Sequence, residues 1–402
     1  MQVITGKRAT AICYAAVAEA DAIEQIRRMC DYEITDGSKI RIMPDVHSGV
    51  GCTIGTTMTI VDKVVPNVVG VDIGCGMYTV ELGKEDIDLE ALDEAAHGIP
   101  SGRDTWEGRI ERFDLTELHC YRNLTRSKHI ERSLGTLGGG NHFIEVDEAS
   151  DGRKYLVIHS GSRNLGKQVA EHYQALAVDL CSGKSDYYDK REELIRDYKE
   201  QGRRCEIQAA LKELWAQYAA KDPTLPADLC YLFGRHMQDY LHDVEICQAF
   251  ARRSRELMAE VLLEKLGLSA LSSFHTIHNY IDTKEMILRK GAISAREGEL
   301  VLIPVNMRDG SILAVGKGNP EWNYSAPHGA GRLMSRTKAR EILDLAEYQN
   351  AMAGIYTTSV NERTIDEAPM AYKSMDDILG CIGDTATVID IIKPIYNYKA
   401  SE

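Results

Sequence analysis

Short apolar runs rich in β-branched residues alternate with glycine-rich turns in two parts of the chain, and this pattern predicts strands and loops. Such runs occur at residues 39–43, 56–61, 77–82, 143–146, 155–158, 286–288 and 300–303. Between about residues 165 and 268, apolar residues recur instead at steps of three and four among many charged residues. That spacing predicts helices over residues 186–218 and 229–266, with a break at Pro223 and Pro226 and with Asp228 as the cap of the second helix.

Strands on both sides of a helical segment predict an α+β fold with mixed β-sheets and surrounding helices. We expect one domain over residues 1–402, with an inserted helical subdomain at about residues 165–268. The chain has 402 residues, 44% of them hydrophobic, which is enough for a large core. It contains no run of about 18 apolar residues, and its N-terminus lacks the apolar stretch of a signal peptide. We therefore expect a soluble, cytoplasmic protein without membrane contact.

The composition narrows the possible ligands. There are 47 lysines and arginines against 61 aspartates and glutamates, a formal charge of -14, which argues against a surface that coats nucleic acid broadly. A polyanion would bind only where basic residues cluster locally. The ten cysteines are scattered without a CxxC pair, so we expect most of them to be reduced and buried.

One glycine-rich loop carries a histidine, in the segment Ser325-Ala326-Pro327-His328-Gly329-Ala330-Gly331-Arg332. A neutral imidazole can attack phosphorus, and the small residues after His328 would let a phosphate approach the backbone closely. The loop therefore predicts a phosphate-handling site, provided that metal ligands from elsewhere in the chain converge on it.

Four other segments supply candidate metal ligands. Asp72 and Cys75 are three residues apart across a glycine turn, and a thiol with a carboxylate suits a borderline divalent metal. His142 follows a triple-glycine loop, His159 ends an apolar run before a Ser-Gly-Ser-Arg turn, and His278 precedes an asparagine. Each candidate also has a structural interpretation: Asp72 as a turn cap, Cys75 as a buried thiol and each histidine as a hydrogen-bonded core residue.

Basic residues cluster near the same loops, at Arg163, Arg289, Lys290, Arg332, Arg336 and Lys338. The arginine fork suits bidentate binding of phosphate, whereas the simpler alternative for each residue is a solvated face. His47, in the segment Met43-Pro44-Asp45-Val46-His47, is a candidate for orienting a ligand without binding the metal itself.

Eight segments in order resemble the RtcB family of RNA-splicing ligases: MPDVHSGVG, GVDIGCG, GTLGGGNHF, VIHSGSRNLG, HNY, RKGAISA, SAPHGAGRLMSR and DEAPMAYK. The resemblance runs from about residue 40 to the C-terminus. It implies an RtcB-like catalytic domain and a GTP- and Mn²⁺-dependent enzyme that acts in RNA repair or tRNA splicing. Such an enzyme joins RNA ends bearing a 2′,3′-cyclic phosphate or a 3′-phosphate to 5′-hydroxyl ends. The reaction passes through a histidine–GMP intermediate and an RNA end activated as 3′-pp-G.

The resemblance also implies roles for individual residues. His328 matches the catalytic histidine that takes GMP. Asp72, Cys75 and His278 match the ligands of one Mn²⁺, and Cys75, His142 and His159 match those of a second. The positions that match nucleotide contacts are Asn141, His142, Phe143, Glu145, His278, Asn279, Pro304, Met307, His328, Gly329, Ala330, Gly331 and Lys399. The positions suited to RNA phosphates are Arg163, Lys290 and Arg336.

One segment departs from the family pattern, because Val305-Asn306-Met307-Arg308-Asp309 stands where the family carries a small Gly-Ser-Met-Gly turn along the nucleotide. Two other functions remain open at this stage. One is a metal-dependent cyclic phosphodiesterase or phosphoesterase that acts on RNA ends without joining them, and the other is a non-catalytic protein that binds RNA ends. We expect a monomer.

Overall fold

The computed structural model describes residues 1–16, 18–218 and 222–400. Its strands are β1 (Gln2–Thr5), β2 (Thr10–Cys13), β3 (Ile40–His47), β4 (Ile54–Thr59), β5 (Lys63–Val64), β6 (Gly76–Gly83), β7 (Phe143–Glu148), β8 (Lys154–Ser160), β9 (Leu232–Phe233), β10 (Ser272–Ile277), β11 (Asn279–Asp282), β12 (Ile287–Lys290), β13 (Ala292–Ser294), β14 (Leu300–Asn306), β15 (Gly310–Gly316), β16 (Ser325–Pro327) and β17 (Ala386–Lys399). Its α-helices are α1 (Ala20–Cys30), α2 (Pro66–Val69), α3 (Leu89–His97), α4 (Ser127–Arg132), α5 (Arg163–Asp179), α6 (Ser185–Glu200), α7 (Ile207–Ala216), α8 (Gly234–Leu266), α9 (Arg336–Ile342), α10 (Leu345–Ala351) and α11 (Met375–Leu379).

Two large sheets organise the fold. The first has six strands in the order β1-β2-β3-β4-β12-β11, and β2 and β3 are its parallel pair. The second has seven antiparallel strands in the order β10-β6-β8-β7-β17-β15-β14. Each of the seven apolar runs predicted as strands overlaps a strand of one of these sheets, and the predicted α+β class is confirmed.

The two large sheets meet at a single residue. The edge strand β10 of the seven-stranded sheet ends at Ile277, and the edge strand β11 of the six-stranded sheet begins at Asn279, so only His278 separates them. A two-stranded sheet of β13 and β16 lies beside this junction, with β16 against β3 and β13 against β10. Side chains from both large sheets can therefore reach the same space.

The segment predicted to be helical does contain α5, α6, α7 and α8, but two of its predicted boundaries are wrong. The helix expected over residues 186–218 is interrupted after Glu200, where Gly202 adopts a left-handed φ of 72°. The second helix begins at Gly234 instead of residue 229, because a 3₁₀ turn and β9 precede it. Asp228 lies in that turn and is not a helix cap; its carboxylate accepts hydrogen bonds from Arg28 at 2.8 and 3.2 Å.

Helices α5 and α8 pack into the same core as the six-stranded sheet. Leu165 and Val169 of α5 and Val244 of α8 lie in one apolar cluster with Ile40 of β3. By contrast, α6 buries only Tyr187 and α7 only Leu214. The extent of an inserted subdomain at 165–268 stays a prediction, and residues 219–221 of it lie outside the described residues. Across the described ranges, no helix has both the length and the apolar character needed to cross a bilayer.

Candidate active site

Four adjacent strands of the seven-stranded sheet bring the predicted metal ligands to one end of the sheet. In the order β10-β6-β8-β7, His278 follows β10, Cys75 precedes β6, His159 is the penultimate residue of β8 and His142 precedes β7. The register pairs His159 with Met77 on one side and with Phe143 on the other. Residues that are distant in sequence therefore become neighbours because their strands pair in this register.

The side chains of these residues form a close cluster. The Cys75 Sγ atom lies 3.3 Å from Nε2 of His159 and 3.6 Å from Nε2 of His142, and the ligand atoms of all three residues lie within 4.8 Å of one another. The Asp72 Oδ2 atom is 3.1 Å from Nε2 of His142, and the ring of His278 is centred 5.1 Å from that of His159. The structure therefore brings all five predicted ligands together.

Backbone carbonyls orient two of the imidazoles. Nδ1 of His142 donates to the carbonyl of Leu137 at 2.8 Å, and Nδ1 of His159 donates to the carbonyl of Asn141 at 3.0 Å. The lone pair of each Nε2 atom then faces the cluster, as in metal-binding histidines whose other ring nitrogen is held by a carbonyl.

The buried surroundings favour neutral imidazoles. Burial and neighbouring histidines lower the pKa values of His159 and His278 well below their ordinary value, and burial together with Asp72 raises the pKa of the Cys75 thiol well above its own. A divalent cation takes neutral imidazole and displaces the proton of a ligating thiol. The donor set of one thiol, three imidazoles and one carboxylate therefore fits a borderline divalent metal.

Two glycines make room for this cluster. A Cβ atom on Gly161 would lie 1.9 Å from Oδ1 of Asp72. Gly138 has a φ of 89°, and a Cβ atom there would lie 1.8 Å from Nη1 of Arg163 and 2.7 Å from Nδ1 of His142. Any side chain at either position would displace a predicted ligand.

The cluster opens into a cavity of about 340 Å³, which His328 also lines, next to His278. The ring of His328 is centred 5.0 Å from that of His278. The fully buried Asp45 on β3 accepts hydrogen bonds from His328 through one oxygen, Oδ2, at 2.6 Å from Nδ1 and 3.2 Å from the backbone N–H. Nδ1 is thereby held as a donor, and Nε2 remains free to act as a nucleophile.

A group of charged residues, Lys399, Glu367 and Arg336, also lines the cavity. The Lys399 ammonium lies 2.6 Å from a Glu367 oxygen and 5.3 Å from the centre of the Phe143 ring. Arg336 pairs with Asp366 at 2.7 Å and also with Glu367. Although burial alone would raise it, Lys399 and Arg336 bring the pKa of Glu367 down to about 2.

Most residues predicted to contact the nucleotide line this cavity: Asn141, Phe143, Glu145, His278, Asn279, Pro304, Met307, His328, Gly329, Ala330, Gly331 and Lys399. Val305 and Asn306 from the departing segment line it too. His142 belongs to the metal-ligand cluster at its edge.

The three predicted phosphate-binding residues are placed differently. Arg336 lines the cavity. Lys290 does not, because its buried ammonium donates to the carbonyls of Asn67, at 3.0 Å, and of Val50. Arg163 donates to the carbonyl of Gly102 at 2.6 Å and to the Thr136 hydroxyl at 3.1 Å, behind the cluster.

Four residues of the site had no predicted role. Asp45 holds His328, Glu367 holds Lys399, and Asn397 donates to Glu145 at 2.6 Å. The fourth, Arg255 of α8, is fully buried and donates through Nη1 to the carbonyls of Gly74, at 2.8 Å, and Ser160, at 2.6 Å. Asp45 and Glu367 lie within motifs that carry the family resemblance, so those motifs could have drawn attention to both residues. No pattern in the sequence identifies their partners, His328 and Lys399.

Arg255 ties the turn before Cys75 to the end of β8 beside His159, so its loss should loosen the fold at the site. Burial lowers the pKa of Arg255 to about 10, so its guanidinium is still charged at neutral pH. Arg255→Met removes two charged hydrogen bonds and is expected to lower the free energy of unfolding by about 3 kcal/mol. Urea unfolding measures this change. The exposed Arg252→Met should stay within about 0.5 kcal/mol of wild type, and equal effects of both variants would contradict the role of Arg255.

Comparison with known proteins agrees with this geometry. A family profile described as tRNA-splicing ligase RtcB matches residues 33–120 and 108–400. The RNA-splicing ligase RtcB of Escherichia coli (strain K12) is 31% identical over 424 residues, covering 95% of this chain and 94% of the relative. The tRNA-splicing ligase RtcB of Aeropyrum pernix is 26% identical over 438 residues, covering 84% of this chain and 82% of the relative.

The α+β fold, the buried cysteine–histidine cluster and these matches define an enzyme of the ligase class. More specifically, the chain belongs to the RtcB family, and the prediction made from its eight motifs is confirmed.

Proposed function

We propose that this chain is a GTP- and Mn²⁺-dependent RNA ligase, acting in RNA repair or tRNA splicing. It joins RNA ends that bear a 2′,3′-cyclic phosphate or a 3′-phosphate to ends that bear a 5′-hydroxyl. The observation that carries the proposal is one cavity lined by His328, with its free Nε2, and by four of the five candidate metal ligands, while the fifth, His142, lies in the same cluster at the edge of the cavity. RNA as the substrate is supported by the names of the relatives, which are RNA- or tRNA-splicing ligases.

The reaction requires activation of the 3′ end, because a 3′-phosphate carries charged oxygens and no good leaving group. Nε2 of His328 attacks the α-phosphorus of GTP, which forms a nitrogen–phosphorus bond and releases pyrophosphate. The GMP group then passes to an oxygen of the RNA 3′-phosphate, giving the 3′-pp-G end and freeing the histidine. Finally, the 5′-hydroxyl attacks the activated phosphate, loses its proton and expels GMP. A cyclic phosphate must first be opened by water to the 3′-phosphate.

Asp72, Cys75 and His278 would hold one Mn²⁺, and Cys75, His142 and His159 a second, with the thiolate shared. Cations bound by these residues would neutralise phosphate charge beside buried side chains. The choice of manganese comes from the family resemblance, since the donor set fits several divalent metals.

GTP would occupy the cavity, whose volume of about 340 Å³ lies at the lower end of the range for small-molecule sites. Gly329 and Gly331 line this cavity, and both pack closely against other backbone: a Cβ atom on Gly331 would lie 2.5 Å from the carbonyl oxygen of Asp45, and one on Gly329 would lie 3.0 Å from that of Pro304. Arg336 would exchange Asp366 for a phosphate of the RNA. Arg163 and Lys290 would have to release their present oxygen partners to do the same.

The test is a joining assay with the purified protein and two RNAs, one ending in a 3′-phosphate and one beginning with a 5′-hydroxyl. We expect a joined product only when both GTP and Mn²⁺ are present, and none after chelation. Opening of cyclic phosphates without GTP and without joining would indicate the phosphoesterase instead. Binding of RNA ends that survives chelation, with neither reaction, would indicate a binding protein.

A further inference from the structure

A fully buried carboxyl group on β7, that of Asp147, lies just behind the wall of the active-site cavity. Among the residues that the structure describes, no N–H or hydroxyl group donates to either of its oxygens. Asp147 does not line the cavity, whereas Glu145, two residues before it on the same strand, does. An ionised carboxylate that is buried without donors is so costly that the group normally takes up a proton instead.

The alternation of side chains along β7 places Asp147 in an apolar layer of the sheet. Ile144 packs into one apolar cluster, and Phe143 packs into a different one, which also contains Tyr155 of β8. Successive side chains of a strand point to opposite faces, so Glu145 and Asp147 share the face of Phe143. In the strand register Asp147 is directly opposite Tyr155. These neighbours cannot compensate a negative charge on Asp147.

The polar group that hydrogen-bonds to Asp147 is another carboxyl, that of Glu145. Two carboxyl groups can share a hydrogen bond only if one of them keeps its proton. Burial and the negative charge of Glu145 raise the pKa of Asp147 well above its usual range.

Glu145 is the better place for the negative charge of this pair. Burial raises its pKa as well, but the hydrogen bond from Asn397 and the nearby Lys399 ammonium act in the opposite direction. The Asn397 amide donates to Oε2 of Glu145 at 2.6 Å. The proton therefore resides on Asp147, and Glu145 is the ionised partner.

Asn397 supplies a second acceptor in the same part of the cavity wall. Its side chain is almost completely buried, and no donor within the described ranges reaches its Oδ1 atom. Glu145 and Asn397 are directly opposite each other on β7 and β17, and both line the cavity. Carboxylate and amide oxygens here face the same space, and they suit a ligand edge made of N–H groups.

We propose that Asp147 is a positioning residue for nucleotide selection: as a neutral carboxylic acid it donates a hydrogen bond to Glu145 and so holds that carboxylate, ionised, at the cavity wall for the N–H edge of a base. An apolar site that keeps a carboxylic acid neutral, so that it can act as a donor, is a known device in proteins. Asp147 touches no nucleotide and acts only through Glu145. The inference rests on the proposed function in so far as GTP is the nucleotide.

The first test compares GTP with inosine triphosphate, whose base keeps the ring N–H and lacks the amino group of guanine, in single-turnover labelling of the protein. Asp147→Leu preserves the shape of the side chain and removes the donor. It should raise the half-saturating concentration of GTP about tenfold and leave the maximal rate in place, because a hydrogen bond to a charged group is lost. The increase for inosine triphosphate should be smaller, so the preference for GTP falls.

Asp147→Asn is the matched variant, because its amide has the same shape and keeps an N–H donor for Glu145. It should retain the half-saturating concentrations and the preference for GTP, and urea unfolding shows whether both variants are folded. A role confined to stability would not separate the two nucleotides. Wild-type selection in Asp147→Leu, or equal losses of both nucleotides in both variants, would overturn the proposal.

The second test detects the proton itself and needs no nucleotide. The infrared difference spectrum between wild type and Asp147→Asn at neutral pH should contain the carbonyl band of a neutral carboxylic acid, and heavy water should shift this band. Asp243→Asn is the control, since Asp243 is equally buried but accepts from the backbone N–H groups of His119, at 2.8 Å, and Cys120, at 3.0 Å. Its difference spectrum should contain carboxylate bands instead. Absence of the acid band for Asp147 would overturn the proposal.

The two tests separate this inference from the ligase function. If the wild-type protein takes no label from GTP, the proposed function fails, and the infrared band still decides whether Asp147 carries the proton. If the wild-type protein is labelled and joins RNA while Asp147→Leu selects nucleotides as the wild type does, the proposed function stands and the role of Asp147 fails.

Discussion

Replacement of His328 by alanine is expected to reduce covalent labelling of the protein to background when it is incubated with radiolabelled GTP in the presence of Mn²⁺. Nε2 of His328 is an imidazole nitrogen left free by the Nδ1–Asp45 hydrogen bond, in the cavity that the candidate metal ligands share, and its loss removes the atom that would carry GMP. The label on the wild-type protein should be acid-labile, as a nitrogen–phosphorus bond is. Gel electrophoresis after acid and neutral treatment measures both properties.

The matched control is His97→Ala, which removes an exposed histidine on α3. This variant should label like wild type. Persistent labelling of His328→Ala would show that another residue carries the nucleotide and would refute the assigned nucleophile. An equal loss of label in both variants would point to a general effect on the protein.

The candidate metal ligands that the structure brings together could be singled out because each one follows a local pattern. His159 ends an apolar run, His142 follows three glycines and Cys75 lies in a glycine turn, and a polar residue at the end of a buried strand stands out in a single sequence. What the pattern could not show is that the four strands are neighbours in one sheet. The order of the strands depends on pairing between residues as far apart as Gly76 and Ile277. The prediction that the ligands converge therefore came from the family resemblance.

Two of the residues without predicted roles, Asp45 and Arg255, have partners that are remote in the sequence, and no local pattern identifies those partners. Asp45 lies in a buried strand 283 positions before His328, and Arg255 is one of many charged residues on a long helix. Lys290 shows the reverse case: its charge suggested a phosphate contact, but its ammonium is held by backbone carbonyls. A sequence shows which charges exist, whereas the direction of a long side chain depends on tertiary packing.

The helix boundaries were misplaced for a local reason. Periodicity carries through Gly202, since the residues on both sides of it keep a helical spacing, and only the left-handed backbone of the glycine reveals the break. At the second helix, Asp228 matches the usual cap residue, yet its carboxylate binds Arg28 of a distant helix. Aspartate is a preferred N-cap residue, but the carboxylate of Asp228 is engaged in the ion pair with Arg28 and caps no helix.

Asp45→Asn is expected to slow the formation of the covalent GMP adduct by about a thousandfold, while GTP binding changes little. The Asp45 carboxylate holds the Nδ1 proton of His328 and would stabilise the positive imidazole that forms as Nε2 attacks. Asparagine keeps the size of the side chain but lacks the charge, and its amide can present an N–H that favours the wrong tautomer.

Single-turnover labelling at several GTP concentrations separates the two quantities, because a positioning role lowers the maximal rate and leaves the half-saturating concentration in place. Asp243→Asn is the control: Asp243 is equally buried and accepts a hydrogen bond from Tyr173 at 2.8 Å, and neither residue lines the cavity of His328. It should lower stability without slowing the labelling of folded protein. A wild-type rate in Asp45→Asn would contradict this role of the carboxylate. It would mean that the loop alone orients the imidazole and that Asp45 serves only as an acceptor for the peptide N–H of His328.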